Sequence, residues 1–131
     1  MDLPILLIPM CGVGKRFKEK GYKKHKSIID INGKNMLERI QNNFSINIEL
    51  YIITTKSIYD SIDKKFKKNK NITNVKFIFI EDHRLGPGYS LFKAKNKIPE
   101  NRPIFVSYCD ISWSCNKKVI EKVLKSSVAA V

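Results

Sequence analysis

Two rhythms of apolar spacing run along this chain, one of short unbroken runs and one with a period near four. Residues 3–9, "LPILLIP", are a short continuous apolar run, the pattern of a strand buried on both faces with helices over each. After a basic, glycine-containing stretch, "SIIDINGK" (27–34) predicts a brief extended piece closed by a turn at Asn32-Gly33, since Asn and Gly tolerate the positive φ such turns need. "NMLERIQNNF" (35–44) sets Met36, Leu37, Ile40 and Phe44 at helical spacing, with Asn35 able to cap the start. "IELYIITT" (48–55) predicts a second strand, and "SIYDSIDKKFKK" (57–68) an amphipathic helix through Ile58, Ile62 and Phe66 whose outer face carries lysines. "NVKFIFI" (74–80) reads as a third strand. "GPGYSLFKAKNK" (86–97) reads as a Gly-Pro turn opening a helix, with Pro87 in the first turn. "RPIFVSYCD" (102–110) predicts a fourth strand ending in an acid, and "KKVIEKVLKSS" (117–127) a further helix.

Four alternations of strand and helix predict an α/β fold of three layers, Rossmann-like, with a mainly parallel sheet and helices on both faces. At 131 residues the chain is expected to form a single domain over 1–131. Its last residues, "SSVAAV" (126–131), look like the start of another strand, so the domain is expected to be incomplete at its C-terminus. The run "KKFKKNKN" (64–71) reads as a solvated helix end and turn.

Composition narrows the class. A hydrophobic content of 43% with 28% charged residues is that of a globular protein, and no apolar stretch approaches the roughly 20 residues a spanning helix needs. Pro4 and Pro9 interrupt the longest early run, and Asp2 stands where a signal peptide carries positive charge. A cytoplasmic protein with no membrane partner is the expectation. Cys11, Cys109 and Cys115 have no CxxC spacing, which predicts reduced thiols and no zinc site. His25 and His83 read as surface side chains. The net charge of +13 comes from twenty-one lysines and only four arginines, spread along the whole chain. Nucleic-acid recognition favours arginine and aromatic side chains interleaved on one face, so the charge predicts no nucleic-acid partner.

The candidate chemistry lies in "PMCGVGKRFKEKGYKKHK" (9–26), directly behind the first strand. Ligands of parallel α/β sheets bind outside the carboxyl ends of the strands. Glycines there let backbone N–H groups approach phosphate oxygens, and Arg or Lys neutralises their charge. Two common phosphate loops fail on the letters. A P-loop ending at Gly14-Lys15 would need glycine at Pro9 and Ser or Thr at Arg16, and a dinucleotide fingerprint would need glycine at Phe17.

A third pattern fits. "GVGKRF…HKSIIDINGKNMLERI" (12–40) resembles the sugar-phosphate nucleotidyltransferase family, whose signature reads G-x-G-x-R, then P-K-P-L, then a Gly-Lys turn and a helix. Gly12, Gly14, Arg16, Lys26, Gly33 and Lys34 match in order, while His25 and Ser27 replace the usual prolines around the lysine. "LGPGYSLFKAK" (85–95) is similar to the family's turn beside the nucleobase, and "IFVSYCDISW" (104–113) looks like the strand whose terminal aspartate holds magnesium, particularly in capsule and lipopolysaccharide members. The resemblance implies an enzyme that joins a nucleoside triphosphate to a sugar phosphate or related phosphorylated acceptor and releases pyrophosphate, for surface polysaccharide precursors. It implies that Arg16 and Lys26 are catalytic and that Met10, Cys11, Gly12, Gly14, Lys15, Arg16, Gly86 and Gly88 bind nucleotide. Asp110 would hold Mg²⁺, while Tyr89 and Trp113 are read equally as packing residues or as base or sugar contacts. A non-catalytic remnant that keeps only nucleotide binding is the alternative.

Overall fold

The computed structural model describes residues 2–44, 46–62, 75–114 and 116–126. Four strands form one sheet: β1 (Ile5–Pro9), β2 (Glu49–Thr55), β3 (Val75–Ile80) and β4 (Ile104–Val106). The order across the sheet is β3-β2-β1-β4, and every pairing is parallel. Among the described residues the helices are α1 (Lys15–Glu19), α2 (Met36–Asn42), α3 (Lys56–Ser61), α4 (Pro87–Ala94) and α5 (Lys117–Lys125).

Successive side chains of a strand point to opposite faces, so each central strand feeds two cores. Leu6, Ile8, Leu50 and Ile52 pack with Leu37 and Ile40 of α2, Ile58 of α3 and Ile120 of α5 on one face. Ile5, Leu7, Tyr51, Ile53 and Ile78 pack with Ala94 of α4 on the other. Every residue of β1 is buried, as its unbroken apolar run predicts. Helices on both faces of a parallel sheet make this the expected three-layer α/β architecture. At the edge opposite the strand ends that carry the site, Arg102 donates to the Leu3 carbonyl and pairs with Glu49 at 2.7 Å. That pair ties the start of β4 to β1 and β2.

Several local readings change. The piece at 27–34 is not extended throughout: Lys26–Ile28 form a 3₁₀ turn, and only Ile31 and Lys34 bridge across Asn32 (φ 51) and Gly33 (φ 79). The His25 side chain accepts from Ser27 N–H and starts that turn, a local bond that competes with extended backbone. The fourth strand is only three residues long rather than reaching Asp110. Its bonds to β1 alternate through Pro103, Ile5, Leu7 and Ser107, and the next rung would fall to Pro9, which has no N–H. The basic stretch after β1, read as a loop, holds α1, whose start is capped by Gly14 at φ 63. Helix α1 buries none of its residues, so it leaves no apolar periodicity to read. The tail of the helix expected at 57–68 with Phe66, the lysine run at 64–71, Cys115 and the end of the chain from 127 lie outside the described residues. No helix among the described residues is long and apolar enough to cross a membrane.

Candidate functional site

The chain passes from β1 to β2 to β3 on one side and returns with β4 on the other side of β1. The carboxyl ends of β1 and β4 therefore flank the point where the sheet reverses its winding, where open α/β sheets form their binding crevice. A cleft of about 680 Å³ lies there. Cys11, Gly12, Val13 and Lys15 line it from the loop after β1, Tyr108, Cys109 and Asp110 from the loop after β4. His83, Arg84, Gly86, Pro87 and Ser90 close it from the start of α4, and Lys26 enters from the 3₁₀ turn.

The loop after β1 is anchored from below. Met10 is fully buried; its N–H donates to the Ile53 carbonyl at 2.7 Å, and its carbonyl accepts from the Thr54 hydroxyl at 3.1 Å. The Cys11 thiol points inward and donates to Ile53 O at 3.4 Å. Gly12 and Val13 are exposed and Gly14 partly so, and the loop lies open at the cleft mouth.

Lys26 and Asp110, 84 residues apart, meet with Nζ 2.5 Å from the carboxylate. The lysine side chain is 24% exposed and the aspartate 47%, so the pair sits at the rim, reachable from the cleft. His25 is buried between the two loops: its Nε2–H donates to the Gly12 carbonyl at 2.8 Å, and its Nδ1 accepts from Ser27 N–H at 3.3 Å and lies 2.7 Å from the Ser27 hydroxyl. A carbonyl only accepts, which fixes the tautomer with the proton on Nε2. Burial, first of all, pushes the His25 ring below its ordinary value, and Lys26 and Lys18 add to that. The reading of His25 as a surface side chain is therefore corrected: its neighbours bury it at 8% exposure.

His83 is half-buried and likewise fixed, accepting from Leu85 N–H at 3.1 Å through Nδ1 and donating from Nε2 to the Ser90 hydroxyl at 2.9 Å. With the proton on Nε2 it braces the turn into α4, where Gly86 has φ 84, and is not set as a base toward Ser90. Among the described residues the two thiols, Cys11 and Cys109, are buried. Burial raises Cys11, and raises Cys109 to about 11, so both stay protonated at neutral pH.

Of the residues predicted from sequence, Cys11, Gly12, Lys15, Lys26, Gly86 and Asp110 come together in the cleft wall; Met10, Gly14, Arg16 and Gly88 do not. Arg16 is exposed on α1. Trp113 packs edge-on against Phe44 at 4.8 Å and donates to Ser107, and Tyr89 meets the His83 ring edge-on at 4.7 Å. Both make packing contacts and neither lines the cleft. Sequence reasoning missed Val13, His83, Arg84, Ser90, Tyr108 and Cys109 as lining. Tyr108, 51% exposed beside a candidate acid, is the one that the letters could have flagged. The cleft wall carries three cations, Lys15, Lys26 and Arg84, against one carboxylate, a balance suited to a polyanion.

No group of three or more His, Cys, Asp or Glu side chains among the described residues could cage a metal. Asp110 offers one half-exposed carboxylate, which fits magnesium in the mode that uses one or two protein carboxylates plus substrate phosphates.

Neither a family model nor a curated protein matches the sequence at a significant level. Solved structures do resemble it. They include a nucleoside-diphosphate-sugar pyrophosphorylase from Vibrio cholerae RC9 (TM-score 0.62, 21% identity, 81% of this chain and 47% of that one). A UDP-glucose pyrophosphorylase from Acinetobacter baumanii (0.66, 17%, 93% and 53%) and a nucleotidyl transferase from Methanothermobacter thermautotroptrophicus (0.58, 14%, 84% and 51%) are also similar. At these identities the likeness speaks of fold. The chain spans about half the length of the structures it matches, and over that half it shares their fold.

Proposed function

We propose that this chain binds a nucleoside triphosphate in the cleft between the β1 and β4 loops. There it transfers the nucleotidyl group to a phosphorylated small molecule, with a sugar phosphate the leading class and surface-polysaccharide precursors the leading use. The setting would be the cytoplasm, where triphosphates are available, and residues 1–131 would act as one nucleotide-binding domain. The observation that carries this reading is the convergence of Gly12, Lys26 and Asp110, distant in sequence, on one cleft at the winding reversal.

In the reaction an oxygen of the acceptor phosphate attacks the α-phosphorus. The new P–O bond forms as the bond to the bridging oxygen of pyrophosphate breaks, and pyrophosphate leaves with that electron pair. The nucleophile is already anionic, so the site supplies alignment and charge compensation instead of a base. Backbone N–H groups of the exposed Gly12 and Val13 would approach phosphate oxygens. Lys26 would draw the acceptor phosphate and the α-phosphate together, and Lys15, the lining cation on α1, would face the leaving pyrophosphate; Arg16, outside the wall, would add charge from α1. Asp110 would hold magnesium, which when bound neutralises phosphate charge. In the unliganded chain Lys26 occupies the Asp110 carboxylate, so each protects the other from standing as a lone charge.

The test measures binding of CTP, UTP, GTP and ATP by calorimetry with and without magnesium, and pyrophosphate release with a panel of sugar 1-phosphates. The expected result is magnesium-dependent binding of at least one triphosphate, lost in Asp110→Ala. Lys26→Ala is expected to lower turnover by two to three orders of magnitude, the effect of removing about 2.7 to 4 kcal/mol of charge stabilisation. Binding of no triphosphate overturns the proposal. Binding without pyrophosphate release in any combination favours the second reading, nucleotide binding without transfer.

A further inference from the structure

His25 stands where neither the glycine loop nor the lysine turn alone accounts for it. It is a buried, fully hydrogen-bonded imidazole between the exposed glycine loop and the largely buried turn of Lys26–Ile28, thirteen residues from one partner and two from the other. Its Nε2–H holds the Gly12 carbonyl at 2.8 Å, while its Nδ1 holds Ser27 N–H and so caps the turn that presents Lys26. A peptide carbonyl and its N–H are oriented together, because the peptide unit is planar. Fixing Gly12 O beneath the loop therefore fixes the direction of the following N–H, at Val13, which lines the cleft. From these contacts we infer that His25 is a positioning residue, a tie that sets the Gly12–Val13 peptide of the exposed loop at a fixed distance from Lys26.

The role requires a proton on Nε2, which the Gly12 carbonyl accepts at 2.8 Å. Protonation of Nδ1 would exchange the Ser27 N–H contact for donation to the Ser27 hydroxyl, 2.7 Å away. The charged groups that bear on the ring are Lys26 and Lys18, which oppose protonation, and Asp110, which favours it. At the two positions around Lys26 the chain thus meets, with one imidazole and one serine, a need for rigidity. Without the tie the lysine would still be present, but the ring would no longer hold the loop at a set separation from it, and misplacement by even an ångström weakens a positioned contact.

The inference rests on the proposed triphosphate site for its functional consequence, and the experiment separates the two. Three variants divide the ring's bonds. His25→Asn keeps an acceptor for Ser27 N–H, since Asn is a favoured cap, but is too short to reach Gly12. His25→Gln places an amide N–H near the position of Nε2, and His25→Ala removes both bonds. Backbone N–H order parameters and the Gly12 carbonyl carbon shift read the loop directly, and magnesium-triphosphate titration reads the site. In His25→Asn the order parameters at residues 12–14 are expected to fall from about 0.85 to about 0.6 or below, with the Gly12 carbonyl signal moving as its bond is lost. Triphosphate affinity should fall about tenfold, as loss of one hydrogen bond of about 1.4 kcal/mol allows, and His25→Gln should recover most of both. If His25→Asn leaves order at 12–14 and affinity unchanged, the ring is only a cap and the tie is overturned. If the wild-type chain binds no triphosphate yet order at 12–14 falls in His25→Asn, the tie stands and the triphosphate reading falls.

Discussion

Gly12 and Gly14 sit two residues apart and ask different things of the backbone. Gly14, at φ 63, starts α1 in the left-handed region, where a Cβ costs about 1 to 2 kcal/mol. Gly12 is not in that region, and a Cβ added there meets nothing within 4 Å. Gly14→Ala is therefore expected to lose about 1 kcal/mol of stability in urea unfolding, whereas Gly12→Ala stays within about 0.5 kcal/mol of wild type. If the loop carries phosphate, Gly12→Ala instead weakens triphosphate binding by about tenfold or more, one 1.4 kcal/mol step; equal affinity would mean that no close approach occurs at Gly12. Gly12, Lys26 and Asp110 were legible because each is a motif position with a residue type that suits phosphate or magnesium. His25 was not, since nothing local distinguishes a buried histidine from an exposed one among lysines; its burial goes with its bonds to Gly12 and Ser27.

Helix α2 carries the most complete local code in the chain. Asn35 Oδ1 accepts from Glu38 N–H at 2.9 Å, and the Glu38 carboxylate accepts from Asn35 N–H at 2.8 Å, both residues being buried. This reciprocal cap satisfies two otherwise orphaned donors. Asn35→Ala is expected to lower stability by about 1 to 2 kcal/mol in a urea titration; a change below a few tenths would mean that solvent replaces the cap. Such a cap spans four residues, so the letters alone announce it. The end of β4 is the opposite case. Its residues suit a strand as far as the aspartate, and only the pairing register, which brings Pro9 to the next rung, stops it after Val106. By leaving the sheet early the chain frees Tyr108, Cys109 and Asp110 to turn into the cleft.

At the scale of the molecule, pH tests how the two loops share one environment. Burial lowers His25 below its usual 6.5, so the unfolded chain takes up a proton that the folded chain refuses. Stability is expected to fall as pH drops below about 6.5 and to level off beneath the folded-state value. Cys109 works at the other end: raised from 9.0 to about 11, its thiol stays protonated in the fold while the unfolded chain ionises. Stability should fall as pH rises from 9.0 towards 11, by an amount on the order of 2 kcal/mol. Glu49, held down by Arg102 from 4.5, adds a separate acid loss below that pH. Urea midpoints followed across pH check this, with His25→Gln flattening the limb near 6.5 and Cys109→Ala the alkaline one; limbs that persist in both variants would place the titrations elsewhere.

What the sequence determined by itself is the local and the periodic: unbroken apolar runs that must be buried on both faces, four-residue spacing on the helices, and an Asn-Gly turn and Asn cap. From their alternation come the parallel sheet and the placement of a glycine-rich, basic loop at its carboxyl edge. Tertiary structure alone decided which parts of that loop face the cleft, Lys15 and not Arg16, and that Lys26 pairs with an aspartate 84 residues away. It also decided that a histidine among lysines is buried. The reason is strand order. Periodicity says that a segment is a strand but not which strand lies beside it, and only the return of β4 to the far side of β1 brings the Asp110 loop against the Gly12 loop and makes one site of them.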